Sequence, residues 1–240
     1  MVDQLMTGQR TFSHILFDLD HTLSYYPLST GVVVTATFDR LRLSLESFGP
    51  AHDLASRYDA LWVALERGAA STNELRLAVW RRLLMERGLS ADGLAERIAA
   101  EYGAVRRANG VRLFDGAREL LSDLRAAGYG LGLLTNGLSD GQWEKISSLC
   151  IEFHFDAVVV AGDVDVYKPD PRAFAVLLDR LGARAPRALF VGDSYEMDVL
   201  GAHAAGLATA LVRPEGTPLP GNVVPRFAFP RAVDVREVIL

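Results

Sequence analysis

The stretch His14-Ile15-Leu16-Phe17-Asp18-Leu19-Asp20-His21-Thr22-Leu23 runs apolar residues straight into two carboxylates one residue apart. A short apolar run bounded by polar residues reads as a buried strand of a parallel sheet, and open α/β sheets bind ligands just beyond the carboxyl ends of such strands. Asp18 and Asp20 then stand at a cleft. A turn starting at Leu19 can aim both carboxylates at one ligand from different sides, so that one attacks while the other moves a proton. An isolated Asp-x-Asp also suits a solvated junction between strand and loop. The weight therefore falls on whether later segments supply the other parts of one site.

The whole chain sets the outer limits. At 240 residues, half of them hydrophobic, it can bury a substantial core and suits one large domain or one domain carrying an insertion. A net charge of −5 and a pI near 5.6 give no general attraction to nucleic acid or to anionic membranes. Cys150 is the single cysteine, so no intrachain disulfide forms, and it reads as buried or half-buried. The first thirteen residues lack the apolar core of a signal peptide, and nowhere do about eighteen uninterrupted apolar residues occur. The expectation is a soluble cytoplasmic protein with no nucleic-acid or membrane partner.

After Leu23 the pattern changes to helix-period stretches. Thr30 to Phe48 predicts one helix ending at Gly49-Pro50, and Leu54 to Arg67 a second before Gly68. Ser71-Thr72-Asn73-Glu74 matches a capping box whose helix runs to Gly88, and Ser90 opens another ending near Gly103. Trp62, Leu77, Trp80 and Leu84 read as core, and Arg76, Arg81 and Arg82 as solvated helix faces. A helical module placed directly after a reactive strand can close over it and exclude water.

From Val111 the strand pattern returns. A helix through Leu120, Leu121 and Leu124 precedes the strand Gly130 to Thr135, which ends in Thr135-Asn136-Gly137, a hydroxyl, an amide and a glycine suited to hydrogen-bonding a phosphoryl oxygen. A helix around Gln142 to Leu149 leads to the strand Phe155 to Val160. Lys168 follows, fixed by Pro169 ahead of a helix through Phe174 and Leu177. Arg187 to Ser194 repeats the logic of apolar strand, glycine and carboxylate, with Asp198 five residues after Asp193. Such hard oxygen donors are what Mg²⁺ requires, and Asp193 is the first candidate ligand, with capping of the next helix as its less favoured alternative. Ala208 to Val212 reads as a last core strand, Pro214 to Pro225 as a surface loop, and the tail as a short helix.

With these four segments in place the chain resembles the haloacid dehalogenase (HAD) superfamily, whose motifs stand here in order as Asp18-Leu19-Asp20-His21-Thr22, Thr135-Asn136, Lys168-Pro169-Asp170 and Gly192-Asp193-Ser194 with Asp198. The resemblance covers essentially the whole chain. It implies an α/β fold, a Rossmann-like doubly wound parallel sheet, with an inserted helical cap of type 1. Residues 1–23 and 111–240 would form the core and 24–110 the cap. It also implies that Asp18 attacks phosphorus, that Asp20 serves as acid and then base, and that Thr135, Asn136 and Lys168 hold the phosphoryl oxygens. Mg²⁺ would take Asp18, the Asp20 carbonyl and Asp193, with Thr22, Ser194 and Asp198 in support.

The expected activity is Mg²⁺-dependent hydrolysis of a small phosphate monoester (a nucleoside monophosphate, phosphoglycolate or a sugar phosphate) through an aspartyl-phosphate. Similar dehalogenases lack an acid at the position of Asp20, which favours the phosphatase. A phosphomutase, a 2-haloacid dehalogenase-like hydrolase and a non-catalytic relative that binds phospho-ligands or partners stay open, as does oligomeric state. A phosphoacceptor signalling domain uses similar residues but a different motif order. Tyr167, where many similar proteins carry glycine, and Met197, where many carry asparagine, depart from the pattern.

Overall fold

The computed structural model describes residues 10–89 and 93–240. They form two compact units: one built on residues up to 23 with 113–136 and 151–240, the other on 24–112 with 137–150.

The first unit carries a six-stranded sheet of β1 (His14–Phe17), β2 (Gly130–Thr135), β3 (Ala157–Val160), β4 (Ala188–Gly192), β5 (Ala208–Val212) and β6 (Phe227–Phe229). The strands lie in the order β3-β2-β1-β4-β5-β6, every adjacent pair parallel. This is the Rossmann-like, doubly wound fold that the sequence implies. His14 pairs with Gly130 on one side and Ala188 on the other, so the strand order reverses at β1 and a crevice opens past its carboxyl end. β6 is a strand the sequence reading does not foresee. It has three residues after a proline- and glycine-rich loop, too few for a period-2 pattern to stand out.

The longer helices are α1 (Thr30–Leu41), α2 (Ala51–Leu65), α3 (Thr72–Glu86), α4 (Leu94–Asn109), α5 (Ala117–Ala126), α6 (Ser139–Leu149) and α7 (Pro171–Leu181). Phe174 and Leu177 of α7 pack with Leu16, Leu134 and Phe190 of the sheet. The rings of Phe174 and Phe190 meet edge-on at 4.9 Å between centroids. Gly132 permits this close approach, since a Cβ there would stand 2.9 Å from the side chains of both Leu16 and Leu181. The tail ends in a single turn, Arg236–Ile239.

The second unit is helical, and its details correct several expected boundaries. Thr30 to Phe48 is not one helix. α1 stops where Arg42 turns left-handed at φ 55°, its N–H donating to the carbonyl of Asp39 while Leu43 donates to Phe38, a closed C-terminal cap. Ser71 accepts the N–H of Glu74 as expected, but Glu74 reaches back to the N–H of Ala70 rather than its own cap residue. α3 ends at Glu86, short of Gly88. α4 runs through Gly103 to Asn109 and ends at Gly110, whose φ is 60°. Gly103 serves close packing instead: a Cβ there would lie 2.9 Å from the Arg76 guanidinium. The expected helix start at Ser90 lies outside the described residues.

Residues 137–150 group with the helical unit, whereas the sequence reading leaves them with the core. The Asp140 carboxylate accepts both the backbone N–H and the hydroxyl of Thr72, tying α6 to the first turn of α3. Cys150, expected to be buried or half-buried, is exposed and left-handed at the end of α6, φ 50°. Among the described residues no helix is long and apolar enough to cross a membrane.

The core of this unit centres on Trp80, fully buried against Phe38, Tyr58 and Tyr102. Leu84 is buried as well, with Trp62 and Leu77 packed at the margin. Trp80→Ala is expected to cost about 3–5 kcal/mol in urea unfolding, while Val63→Ala, at an exposed position, stays within about 0.5 kcal/mol. Equal, small effects of both would show that Trp80 is not a core residue.

Candidate active site

The site forms where β1 and β4 end. The chain leaves β1 with the Asp18 N–H donating to the carbonyl of Val191 at 2.9 Å, which fixes the first carboxylate against the neighbouring strand. Lys168 Nζ donates to Asp18 Oδ1 at 2.6 Å and to Asp198 Oδ1 at 2.7 Å, and all three side chains are buried. The ammonium also stands 5.4 Å from the centroid of the Phe190 ring, within cation–π reach. Gly192 has no substitute in this arrangement, because a Cβ there would lie 2.3 Å from Asp198 Oδ2. That oxygen accepts the Ser194 N–H at 2.9 Å, so both oxygens of Asp198 are engaged.

Asp193 is differently placed. The helical turn Tyr195–Leu200 is capped by Ser194, whose Oγ accepts the N–H of Met197, so capping falls to Ser194 and not to Asp193. Asp193 is half-buried, and no Lys or Arg among the described residues forms an ion pair with it.

The charges here do not balance. Burial pushes the Asp18 carboxyl up to about 7, with Lys168 opposing and Asp198 and Asp20 adding to the rise. Burial also raises Asp193, reinforced by Asp198 and opposed by His21 and Lys168. For Lys168, burial acts to lower its pKa, but Asp18 and Asp198 outweigh it and hold the ammonium above the ordinary lysine value. Three carboxylates thus face one ammonium. Carboxylate oxygens of Asp18, Asp193 and Asp198 all lie within 4.8 Å of one another, a donor set that fits a hard divalent cation. Since Asp198 already serves Lys168 and Ser194, the carboxylates left for a metal are those of Asp18 and Asp193.

The remaining residues singled out by sequence fall around this cluster. Asp20 is half-buried and close enough to Asp18 to raise its pKa. The chain turns directly after Asp20, at His21, which is left-handed at φ 62°. Thr22 is buried, and its hydroxyl has no hydrogen-bond partner among the described residues. Thr135 is buried at the end of β2, its hydroxyl donating to the carbonyl of Asn136 at 3.2 Å.

Asn136, read from sequence as a phosphate ligand, has its side-chain amide elsewhere. Nδ2 donates to the carbonyl of Lys168 at 2.9 Å, and Oδ1 accepts the N–H of Lys168 at 2.8 Å. The residue that follows Thr135 therefore positions the Lys168 backbone. Nothing in the spacing of 136 and 168 signals this clasp, nor the ion pair between Lys168 and Asp198.

Residues 12–206 match the haloacid dehalogenase-like hydrolases. A phosphoserine phosphatase from Thermus thermophilus is 32% identical over 252 residues, covering 94% of this chain and 97% of that protein. A glyceraldehyde 3-phosphate phosphatase from Methanopyrus kandleri is 30% identical over 234 residues, 94% of this chain and 96% of its own. In three dimensions the chain is similar to the HAD-hydrolase YfnB of Bacillus subtilis, solved with magnesium, at a TM-score of 0.74 and 23% identity over 96% of this chain and 99% of that one. This breadth of match, together with the Asp18, Lys168 and Asp193 cluster at the switch point of the sheet, establishes that the chain belongs to the haloacid dehalogenase-like hydrolase family.

Proposed function

We propose that this hydrolase is a Mg²⁺-dependent phosphatase of small phosphate monoesters, acting through a phosphorylated Asp18. The observation that carries the reading is a buried Asp18 held by Lys168, with a second acid, Asp20, two residues on. Relatives at 30% identity or more hydrolyse phosphoserine and glyceraldehyde 3-phosphate by name, which supports a phosphate monoester as substrate. Dehalogenases with a similar pattern lack an acid at the position of Asp20, so its presence here favours phosphoryl chemistry.

In the proposed reaction an Asp18 oxygen attacks phosphorus in line and the bond from phosphorus to the ester oxygen breaks. Asp20 gives its proton to the leaving alcohol. It then takes a proton from water as the water attacks the aspartyl-phosphate, releasing inorganic phosphate and restoring Asp18. Lys168 meets the charge of the incoming phosphoryl group, and Thr135 donates its hydroxyl to one of the oxygens. Asn136 acts as a positioning residue by fixing the backbone that carries Lys168. Asp18, Asp193 and the backbone carbonyl of Asp20 would hold Mg²⁺, whose charge, when bound, offsets that of the phosphoryl oxygens.

Phosphate release should be measured across phosphoserine, glyceraldehyde 3-phosphate, phosphoglycolate, sugar phosphates and nucleoside monophosphates, with Mg²⁺ or with EDTA. Metal-dependent turnover of at least one ester is expected, abolished in Asp18→Asn and lowered about 10²–10⁴-fold in Asp20→Asn. Folded protein that releases no phosphate from any ester contradicts the reading.

Lys168→Met removes the ammonium shared by two buried carboxylates. Beyond losing turnover, it is expected to lower unfolding stability by about 3–5 kcal/mol in metal-free buffer at neutral pH. A loss below about 1 kcal/mol would mean that the carboxylates are better solvated than their burial implies.

A further inference from the structure

The edge of the sheet opposite the catalytic cluster carries a cleft that the proposed chemistry does not use. It opens where β1 and β4 begin, has a volume of about 420 Å³ and is lined by Ser13, His14, Gly182, Ala183, Arg184 and Arg187, all within the first unit. A strand rises about 3.3 Å per residue, so His14 and Asp18, at opposite ends of β1, stand about 13 Å apart. Although the chain carries a net charge of −5, no acid among the described residues lines this cleft.

The local backbone gathers positive charge here. The N–H of Arg187 donates to the carbonyl of Arg184 at 2.8 Å, closing a turn that keeps their Cα atoms within about 7 Å. Arg187 is steadied by Nη1, which donates to the carbonyl of Arg10, while Arg184 is exposed. Neither guanidinium has a carboxylate partner among the described residues. The end of α7 does not account for them, because the N–H groups of Gly182 and Ala183 already donate to the carbonyls of Asp179 and Leu178. Asp156 acts on His14 electrostatically, but its oxygens are taken by the Leu131 N–H at 2.8 Å and by Arg125 at 2.9 Å. Burial lowers the His14 pKa against the pull of Asp156, so at neutral pH the ring is mainly uncharged and the two arginines supply the charge. The Ser13 hydroxyl stands 2.9 Å from His14 Nδ1 and donates to the carbonyl of Arg187 at 3.3 Å, which orients the ring.

From this we infer that the cleft binds a phosphate group, free or at the end of a small metabolite, with Arg184 and Arg187 as its cationic donors and Ser13 and His14 beside them. Two guanidiniums held in one concavity repel each other, and an anion that engages both relieves that repulsion. Phosphate suits the pair better than a carboxylate does, since it carries more than one charge near neutral pH and offers oxygens to two planar forks at once. The site lies across the sheet from the catalytic cluster and does not depend on phosphatase activity.

Of the five histidines, His14 alone lines the cleft, so its ring signals in a carbon–proton NMR spectrum report occupancy, assigned by their loss in His14→Gln. The full chain is titrated in EDTA with inorganic phosphate, glycerol phosphate and acetate, at an ionic strength held constant with chloride so that screening does not change. A saturable shift of the His14 signals by one or both phosphates is expected, with acetate at least about tenfold weaker. A response to inorganic phosphate alone identifies the free ion as the ligand, and a response to glycerol phosphate alone a phosphorylated metabolite. Arg184→Gln, at an exposed position, should fold as the wild type does and weaken phosphate at His14 at least about tenfold. Any response of His21, which acts on Asp193, should be unchanged by that variant. Absence of a saturable His14 shift with both phosphates, acetate binding as tightly as phosphate, or wild-type affinity in Arg184→Gln would overturn the assignment.

Discussion

The ammonium of Lys168, buried between the carboxylates of Asp18 and Asp198 at 2.6 and 2.7 Å, is the contact on which the rest of the site depends. Removing one partner from such a buried arrangement leaves charge uncompensated, so the three residues stand or fall together. Several otherwise unrelated features serve it. Gly192 makes room for Asp198, Ser194 fixes the second oxygen of that carboxylate, and Asn136 clasps the backbone on both sides of the Lys168 peptide. One lysine cannot neutralise three acids, and the remaining negative charge is what makes the pocket suited to a divalent cation.

The sheet delivers these residues without long loops. Because β1 lies between β2 and β4, the ends of three adjacent parallel strands carry Asp18, Thr135 and Asp193 to one edge. Lys168 arrives from the connection that follows β3 and leads into α7. In the proposed reaction the strands provide rigidity, which keeps the nucleophile and its ammonium in register before substrate enters. The helical unit contributes an independent core around Trp80.

Much of this was legible in the amino-acid sequence because it depended on local pattern. Apolar runs ending in Asp18, Thr135 and Asp193 marked buried parallel strands, and four motifs in order pointed to one family. What escaped was set by contacts between distant residues. The Asn136 amide turns to Lys168 because two loops converge, a fact no spacing records. Gly103 looked like a helix stop, yet it lies within α4 where the Arg76 side chain passes over it. The break after Leu41 depended on Arg42 adopting a left-handed conformation that arginine gives no reason to expect.

The central claim is that Asp18 carries the phosphoryl group, and trapping it is the most direct test. Asp20→Asn should be mixed with p-nitrophenyl phosphate and Mg²⁺, since an aryl leaving group departs without help from an acid while attack of water is slowed. The account predicts a burst of about one p-nitrophenolate per chain, and acid-quenched protein bearing one phosphoryl group on the peptide that contains Asp18. A burst with the label on another residue, or steady turnover by folded protein with no label at all, would contradict it.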